Sequence, residues 1–169
     1  MSWETAIVDG LRDAEIDLVT QLPDGAMGAV VEGLDEAGIR TLRVEREESA
    51  IAAAAGTWVT GSRGAVICQS SGLANTLNAI GSLSVPARLP FLALVTRRGG
   101  LGEFNVAQVP TGYGLPAMMD ELGVRNTVVS DSEAIQQTVR MAAETAFSTR
   151  TPYVVFFDST VTGYGQEAQ

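Results

Sequence analysis

The run Ala65-Val66-Ile67-Cys68-Gln69 constrains the fold more than any other stretch of this chain. It is short and almost wholly apolar, and it lies between Gly64 and Ser70-Ser71-Gly72. Such a run reads as a strand covered on both faces, and strands of that kind occupy the middle of parallel sheets flanked by helices. The rest of the chain repeats short β-rich runs between longer amphipathic ones. Strands are predicted at 17–21, 41–44, 65–69, 89–95, 124–129 and 153–158. Helices are predicted at 2–15 (Ser2 as cap), 27–37, 48–59, 72–83, 115–122 and 132–147, with a long glycine-containing loop over 97–112. This pattern predicts an α/β, three-layer, doubly wound domain with a six-stranded parallel sheet. With 169 residues the chain holds one such domain, over 1–169, and its tail from Gly163 to Gln169 is expected to fray.

Composition removes several function classes. The net charge of −9 argues against nucleic acid as partner. No apolar run is long enough for a membrane span, and no leading segment reads as a signal peptide. The lone Cys68 rules out an internal disulfide and suits a reducing, cytoplasmic location. All eleven basic residues are arginine, and there is neither lysine nor histidine. A histidine triad, a histidine metal cluster or a Schiff-base lysine is therefore beyond this chain.

Open parallel sheets bind ligands beyond the carboxyl ends of their strands. That rule selects four loops: Leu22-Pro23-Asp24-Gly25, Glu45-Arg46-Glu47-Glu48, Ser70-Ser71-Gly72-Leu73-Ala74-Asn75, and Arg97 through Phe104. The acids at 45–48 open an alanine-rich helix. Taken alone, they read first as first-turn carboxylates favoured by the helix dipole. Asn75, taken alone, is equally well a cap.

Arg46-Glu47-Glu48, the alanine-rich turn ending at Gly56, and the Ser71-Gly72-Leu73-Ala74-Asn75 loop together resemble the pyrimidine-binding domain of thiamine diphosphate enzymes. The likeness extends over nearly the whole chain. In that family a glutamate stands nine residues before the helix glycine, and here that residue is Glu47. The resemblance implies the thiamine diphosphate-binding fold, with Glu47 as the carboxyl group that shares a proton with the aminopyrimidine ring. Glu48 is the competitor. It further implies that Ser70, Ser71, Gly72, Leu73 and Asn75 meet the pyrimidine end. Asp24 takes part in catalysis by the same analogy, although the order proline-aspartate-glycine differs from the family's proline-glycine-aspartate.

The family anchors its diphosphate through a divalent metal held by a glycine-aspartate-glycine motif and a later asparagine, and no such motif occurs in this chain. The resemblance therefore implies a separate diphosphate-binding (beta) subunit that carries the Mg2+, in a hetero-oligomer. A shortened form of a longer enzyme is the other reading. The stretch Val95 to Asn105, with Gln108, Pro110 and Gly112, is similar to that of sulfopyruvate and phosphonopyruvate decarboxylases. There Arg97 and Arg98 stand where pyruvate decarboxylases have a histidine pair. Two guanidinium forks suit a small anionic 2-oxo acid, so Arg97, Arg98 and Gln108 are the expected substrate contacts, and sulfopyruvate is the expected substrate. Rival readings are a phosphonopyruvate decarboxylase, an acetolactate-type carboligase and a regulatory subunit of the same fold. A Rossmann nucleotide binder is disfavoured, because no G-x-G-x-x-G follows the first strand.

Overall fold

The computed structural model describes residues 1–163; of the expected frayed tail, residues 164–169 lie outside the described residues. Helix α1 (Trp3–Asp13) is capped by Ser2, whose hydroxyl accepts from the Thr5 amide at 3.3 Å, with Glu4 in its first turn and Arg12 in its last. Then follow β1 (Leu18–Gln21), α2 (Gly28–Glu36), β2 (Arg40–Arg43), α3 (Glu47–Thr57) and β3 (Gly64–Gln69). A broken helical segment comes next, made of α4 (Ser70–Asn75), α5 (Leu77–Ala79), a π turn (Ile80–Ser84) and α6 (Val85–Ala87). The chain continues through β4 (Leu92–Arg97), α7 (Val109–Glu121), β5 (Arg125–Val129), α8 (Ile135–Thr149), β6 (Tyr153–Asp158) and α9 (Ser159–Thr162).

The six strands form one parallel sheet in the order β2-β1-β3-β4-β6-β5. The three-layer α/β expectation is met. Strand alternation divides the core between the two faces. Ala65, Ile67, Leu92, Leu94, Val155 and Phe157 pack toward α1, α2 and α8. Val66, Cys68, Ala93, Val95, Val154 and Phe156 pack toward α3, α4 and α7. The central β3 is buried at every residue but Gln69, as the apolar run required. Edge strand β2 is exposed at all four of its positions. The chain runs outward from β1 to β2 and then crosses back over β1 to β3, which puts the topological switch point between β1 and β3.

Two expectations need correction. The helix after β3 begins at Ser70 rather than Gly72, and it is irregular. Thr76 bonds back to the Leu73 carbonyl at 2.7 Å and is followed by the π turn. The loop over 97–112 is shorter than expected, because Arg97 completes β4 and α7 begins at Val109. Pro110, Gly112, Gly114 and Pro116 all read as breakers, yet helix position accommodates Pro110 and tertiary contacts accommodate Gly112 and Pro116. Pro110 falls in the first turn, where its missing N–H costs nothing. Pro116 cannot donate to the carbonyl of Gly112, and that carbonyl instead accepts from Arg97 Nε at 3.2 Å. Gly112 lies directly on the Arg98 backbone. A Cβ there would collide with the Arg98 carbonyl oxygen and stand 3.2 Å from its Cα. Since neither backbone can yield easily, Gly112→Ala should destabilise the chain by about 1–3 kcal/mol, measured by urea unfolding.

Candidate active site

The carboxyl ends of β1 and β3 and the start of α3 enclose a cleft of about 340 Å³ at the switch point. Leu22, Pro23, Asp24, Gly25, Glu47, Gln69, Ser71 and Gly72 line it. Three of the four loops selected from the sequence therefore converge on one place.

Glu47 is the first residue of α3 and is half-buried. Its side chain lies against Gly72: a Cβ on that glycine would come within 2.8 Å of Glu47 Cγ and 2.9 Å of Cδ. Gly72 thus makes the room that the carboxylate occupies. Glu48, its neighbour, is committed elsewhere. One Glu48 oxygen takes Arg46 Nη2 at 3.0 Å, and the other is buried without a hydrogen-bond partner among the described residues. The Arg46 hydrogen bond holds the Glu48 carboxyl below the usual carboxylate range. Of the two adjacent acids, Glu47 is the one that faces the cleft.

Asp24 sits across from it and is fixed at both oxygens. It caps the turn at Gly25–Met27 by accepting from the Ala26 amide at 3.1 Å, and it accepts from Thr96 Oγ1 at 2.5 Å. Beneath both acids lies Cys68. Its burial, with the negative charges of Glu47 and Asp24 adding to it, pushes the thiol pKa up, so it stays protonated and inert.

The glycine loop divides. Ser71 lines the cleft, its hydroxyl donating to Gln69 Oε1 at 2.6 Å, and Gly72 forms the wall. Ser70 is fully buried, and its hydroxyl accepts from the Arg98 amide at 3.1 Å. Leu73 points into the core with Ala50 and Ile51, and Asn75 ends α4 exposed, outside the cleft lining. The expected contacts of Leu73 and Asn75 with the pyrimidine end are therefore not provided by this cleft. The helical register that puts Ser71 and Gly72 at its wall turns those two residues away.

Arg98 differs most from expectation. Its guanidinium is closed on Glu103, with Nε to Oε2 and Nη2 to Oε1 both at 2.7 Å, and the two side chains are nearly buried. The two expected substrate forks are therefore not equivalent, because Glu103 occupies the Nε and Nη2 edge of Arg98 in bidentate fashion. Arg97 is held more loosely. Its Nη1 meets Asp158 at 3.4 Å, its Nε serves the Gly112 carbonyl, and its guanidinium lies over the Tyr113 ring. Gln108 ends a short turn at Val106–Gln108 whose backbone covers Gly99. Sequence reasoning missed Thr96, Gln69 and Glu103 as partners of the site. None carries a periodic signal, since each acts through side-chain hydrogen bonds to a loop.

Arg98 and the amides of Asn105 and Gly99 hold the Glu103 carboxyl down to about 2, below its ordinary value of 4.5. Its folded value is depressed, so the stability it contributes is complete above the ordinary carboxylate range and is lost as pH falls from about 4.5 toward 2. Proteolytic cleavage within 99–105 should accordingly rise over that window and stay flat from pH 5 to 8.

Among the described residues, no group of three or more Cys, Asp or Glu side chains is placed to hold a metal ion. No helix among the described residues is long and apolar enough to cross a membrane. Residues 1–101 match the family described as thiamine pyrophosphate enzyme, N-terminal TPP binding domain. The sulfopyruvate decarboxylase subunit alpha of Methanococcus maripaludis is 28% identical over 160 residues, which cover 94% of this chain and 96% of that protein. The sulfopyruvate decarboxylase of Methanosarcina acetivorans is 27% identical over 151 residues, which make up only 38% of its length. The phosphonopyruvate decarboxylase of Streptomyces viridochromogenes is 36% identical over 103 residues, 60% of this chain and 26% of that protein. In structure, the chain resembles a 2-oxoglutarate:ferredoxin oxidoreductase from Magnetococcus marinus at a TM-score of 0.81 and 17% identity. That likeness covers 96% of this chain and 29% of the other.

Proposed function

The chain belongs to the thiamine pyrophosphate enzymes, as their N-terminal TPP binding domain, and we propose that it is the alpha, pyrimidine-binding subunit of a 2-oxo acid decarboxylase. The substrate in this reading is sulfopyruvate, and the products are sulfoacetaldehyde and carbon dioxide. Glu47 carries the proposal: its carboxylate faces an open cleft, makes no hydrogen bond within the described residues, and fits a space that exists because residue 72 lacks a side chain.

Those residues suit the aminopyrimidine of thiamine diphosphate. The cleft is polar on its Glu47, Asp24 and Ser71 sides and apolar at Leu22 and Pro23. Bound there, the cofactor supplies the electron sink that decarboxylation of a 2-oxo acid requires. Glu47 would hold a proton at the ring nitrogen it faces, and the Gly72 wall would fix where that proton sits. Asp24, held at both oxygens, would keep its position as charge changes nearby. Arg97 Nη2 makes no hydrogen bond within the described residues, which leaves that edge of the guanidinium for a sulfonate or carboxylate oxygen.

A second chain is part of this proposal. The Methanococcus relative, named as a subunit, matches this chain nearly end to end, while the Methanosarcina relative has more than half its length beyond the match. The diphosphate and its Mg2+ would be held by that second, beta subunit in a hetero-oligomer in the cytoplasm. Leu101, Phe104, Val106 and Tyr113 are all strongly exposed around the fourth loop and suit burial against it.

The test is reconstitution with a candidate beta subunit, thiamine diphosphate and Mg2+, assayed on sulfopyruvate, phosphonopyruvate and pyruvate. Preference for sulfopyruvate by at least tenfold, about 1.4 kcal/mol in kcat/KM, supports the proposal. Equal turnover of pyruvate rejects an anion-selecting site. The Streptomyces relative favours phosphonopyruvate as the second reading, and preference for it would replace the sulfonate.

A further inference from the structure

The Arg98–Glu103 pair is removed from the cleft, yet the structure wires it to the cleft wall. Each Glu103 oxygen is used twice. Oε2 accepts from Arg98 Nε at 2.7 Å and from the Gly99 amide at 3.1 Å. Oε1 accepts from Arg98 Nη2 at 2.7 Å and from the Asn105 amide at 2.9 Å. One carboxylate thus ties both ends of the 98–105 loop, and the left-handed glycines at 99 (φ 77°) and 102 (φ 84°) let the chain turn tightly enough to be tied. The Arg98 backbone is also gripped from both sides. Gly112 at the start of α7 packs on its carbonyl, and its amide donates to the buried Ser70 hydroxyl. Ser70 opens α4, and two residues on, Gly72 meets the Glu47 side chain.

We propose that Arg98 and Glu103 are positioning residues for Glu47. The closed loop fixes the Arg98 backbone, Arg98 fixes Ser70, and Ser70 sets how closely the Gly72 wall stands against the Glu47 carboxylate. The loop after β4 therefore tunes the group that holds the pyrimidine proton, rather than gripping substrate with Arg98. Burial favours this assignment, since both side chains are nearly buried and the Glu103 carboxylate spends all four of its contacts on the loop itself. Glu103 is the residue on which the arrangement depends, because arginine, glutamine or alanine at that position cannot accept from both amides and both guanidinium nitrogens at once.

This inference rests on the proposed role of Glu47 for its kinetic arm, and its structural arm is independent of that role. In the full chain without partner or cofactor, Glu103→Gln should raise amide hydrogen exchange about tenfold or more in 98–105 and also in 70–73. Faster exchange confined to 98–105 would overturn the proposal, because the loop would then be closed for its own sake. In the reconstituted enzyme, Glu103→Gln and Ser70→Ala should each lower kcat about tenfold with KM for the 2-oxo acid within twofold, and the double variant should be no worse than the poorer single. A raised KM at unchanged kcat, or losses that multiply to about a hundredfold in the double variant, would overturn it. Near-wild-type turnover by the reconstituted Glu47→Gln enzyme would reject the function reading, while coupled exchange between 98–105 and 70–73 would still stand.

Discussion

Replacing Glu47 by Gln should leave the chain folded and bring turnover of the assembled enzyme down by about a hundredfold or more, the scale at which a positioned acid–base group contributes. The fold should survive because the Glu47 carboxylate makes no hydrogen bond within the described residues and glutamine keeps the packing of its stem against Gly72. The stability cost is limited to one first-turn acid at a helix N-terminus, a few tenths of a kcal/mol up to about 1 kcal/mol. Glutamine has the size of glutamate, so the cleft keeps its shape and the cofactor still finds it. What is lost is the group that can carry a proton. Thermal unfolding and cofactor titration of the variant should therefore match wild type while kcat falls. Retention of near-wild-type kcat would reject Glu47 as the activating acid. Glu48→Gln is the matched comparison: its carboxylate is taken by Arg46, and a tenfold or smaller effect is expected.

Gly72→Ala should separate activity from stability in the opposite way. The added methyl would fall within 2.8 Å of Glu47 Cγ, but that side chain can swing aside. Alanine is also about 1 kcal/mol better than glycine within a helix, so the melting temperature should hold or rise. Glu47 displaced by about 1 Å should cost on the order of a hundredfold in rate. Gly56→Ala supplies the control, since a Cβ there meets nothing within 4 Å in this chain. The two alanines gain the same helix propensity, and only the one at 72 touches Glu47. An active Gly72→Ala enzyme would mean that the wall does not set the position of the acid. Gly112→Ala contrasts with both, because it presses on backbone rather than on a mobile side chain and should register as lost stability.

The position of Glu47 could be read from sequence through an interval, nine residues before Gly56, even though a Cβ on Gly56 would meet nothing within 4 Å. Which of the two neighbouring glutamates faces the cleft was settled by geometry: Arg46 draws Glu48 away, and Gly72 receives Glu47. The arginine pair shows the opposite outcome. Its sequence suggested two equal forks, but Glu103, five residues downstream, pairs with one of them. Leu73 and Asn75 belong to the same motif as Ser71 and Gly72, yet the helical turn directs them to the core and to the far end of α4.

What the sequence determined by itself was the layered sheet, because burial on both faces of β3 and β4 leaves a continuous apolar run that any reader of periodicity finds. It also determined that the polar rim lies at the strand ends, because loops there must carry the residues that strands cannot. Only the tertiary structure decided how that rim is held. The bond from Thr96 to Asp24 spans 72 residues, and that from the Arg98 amide to Ser70 spans 28. The freed carbonyl opposite Pro116 is taken up by Arg97 from another element. Contacts of this kind join residues with no fixed spacing. They leave no periodic trace in the chain and exist only once the strands have brought their ends together.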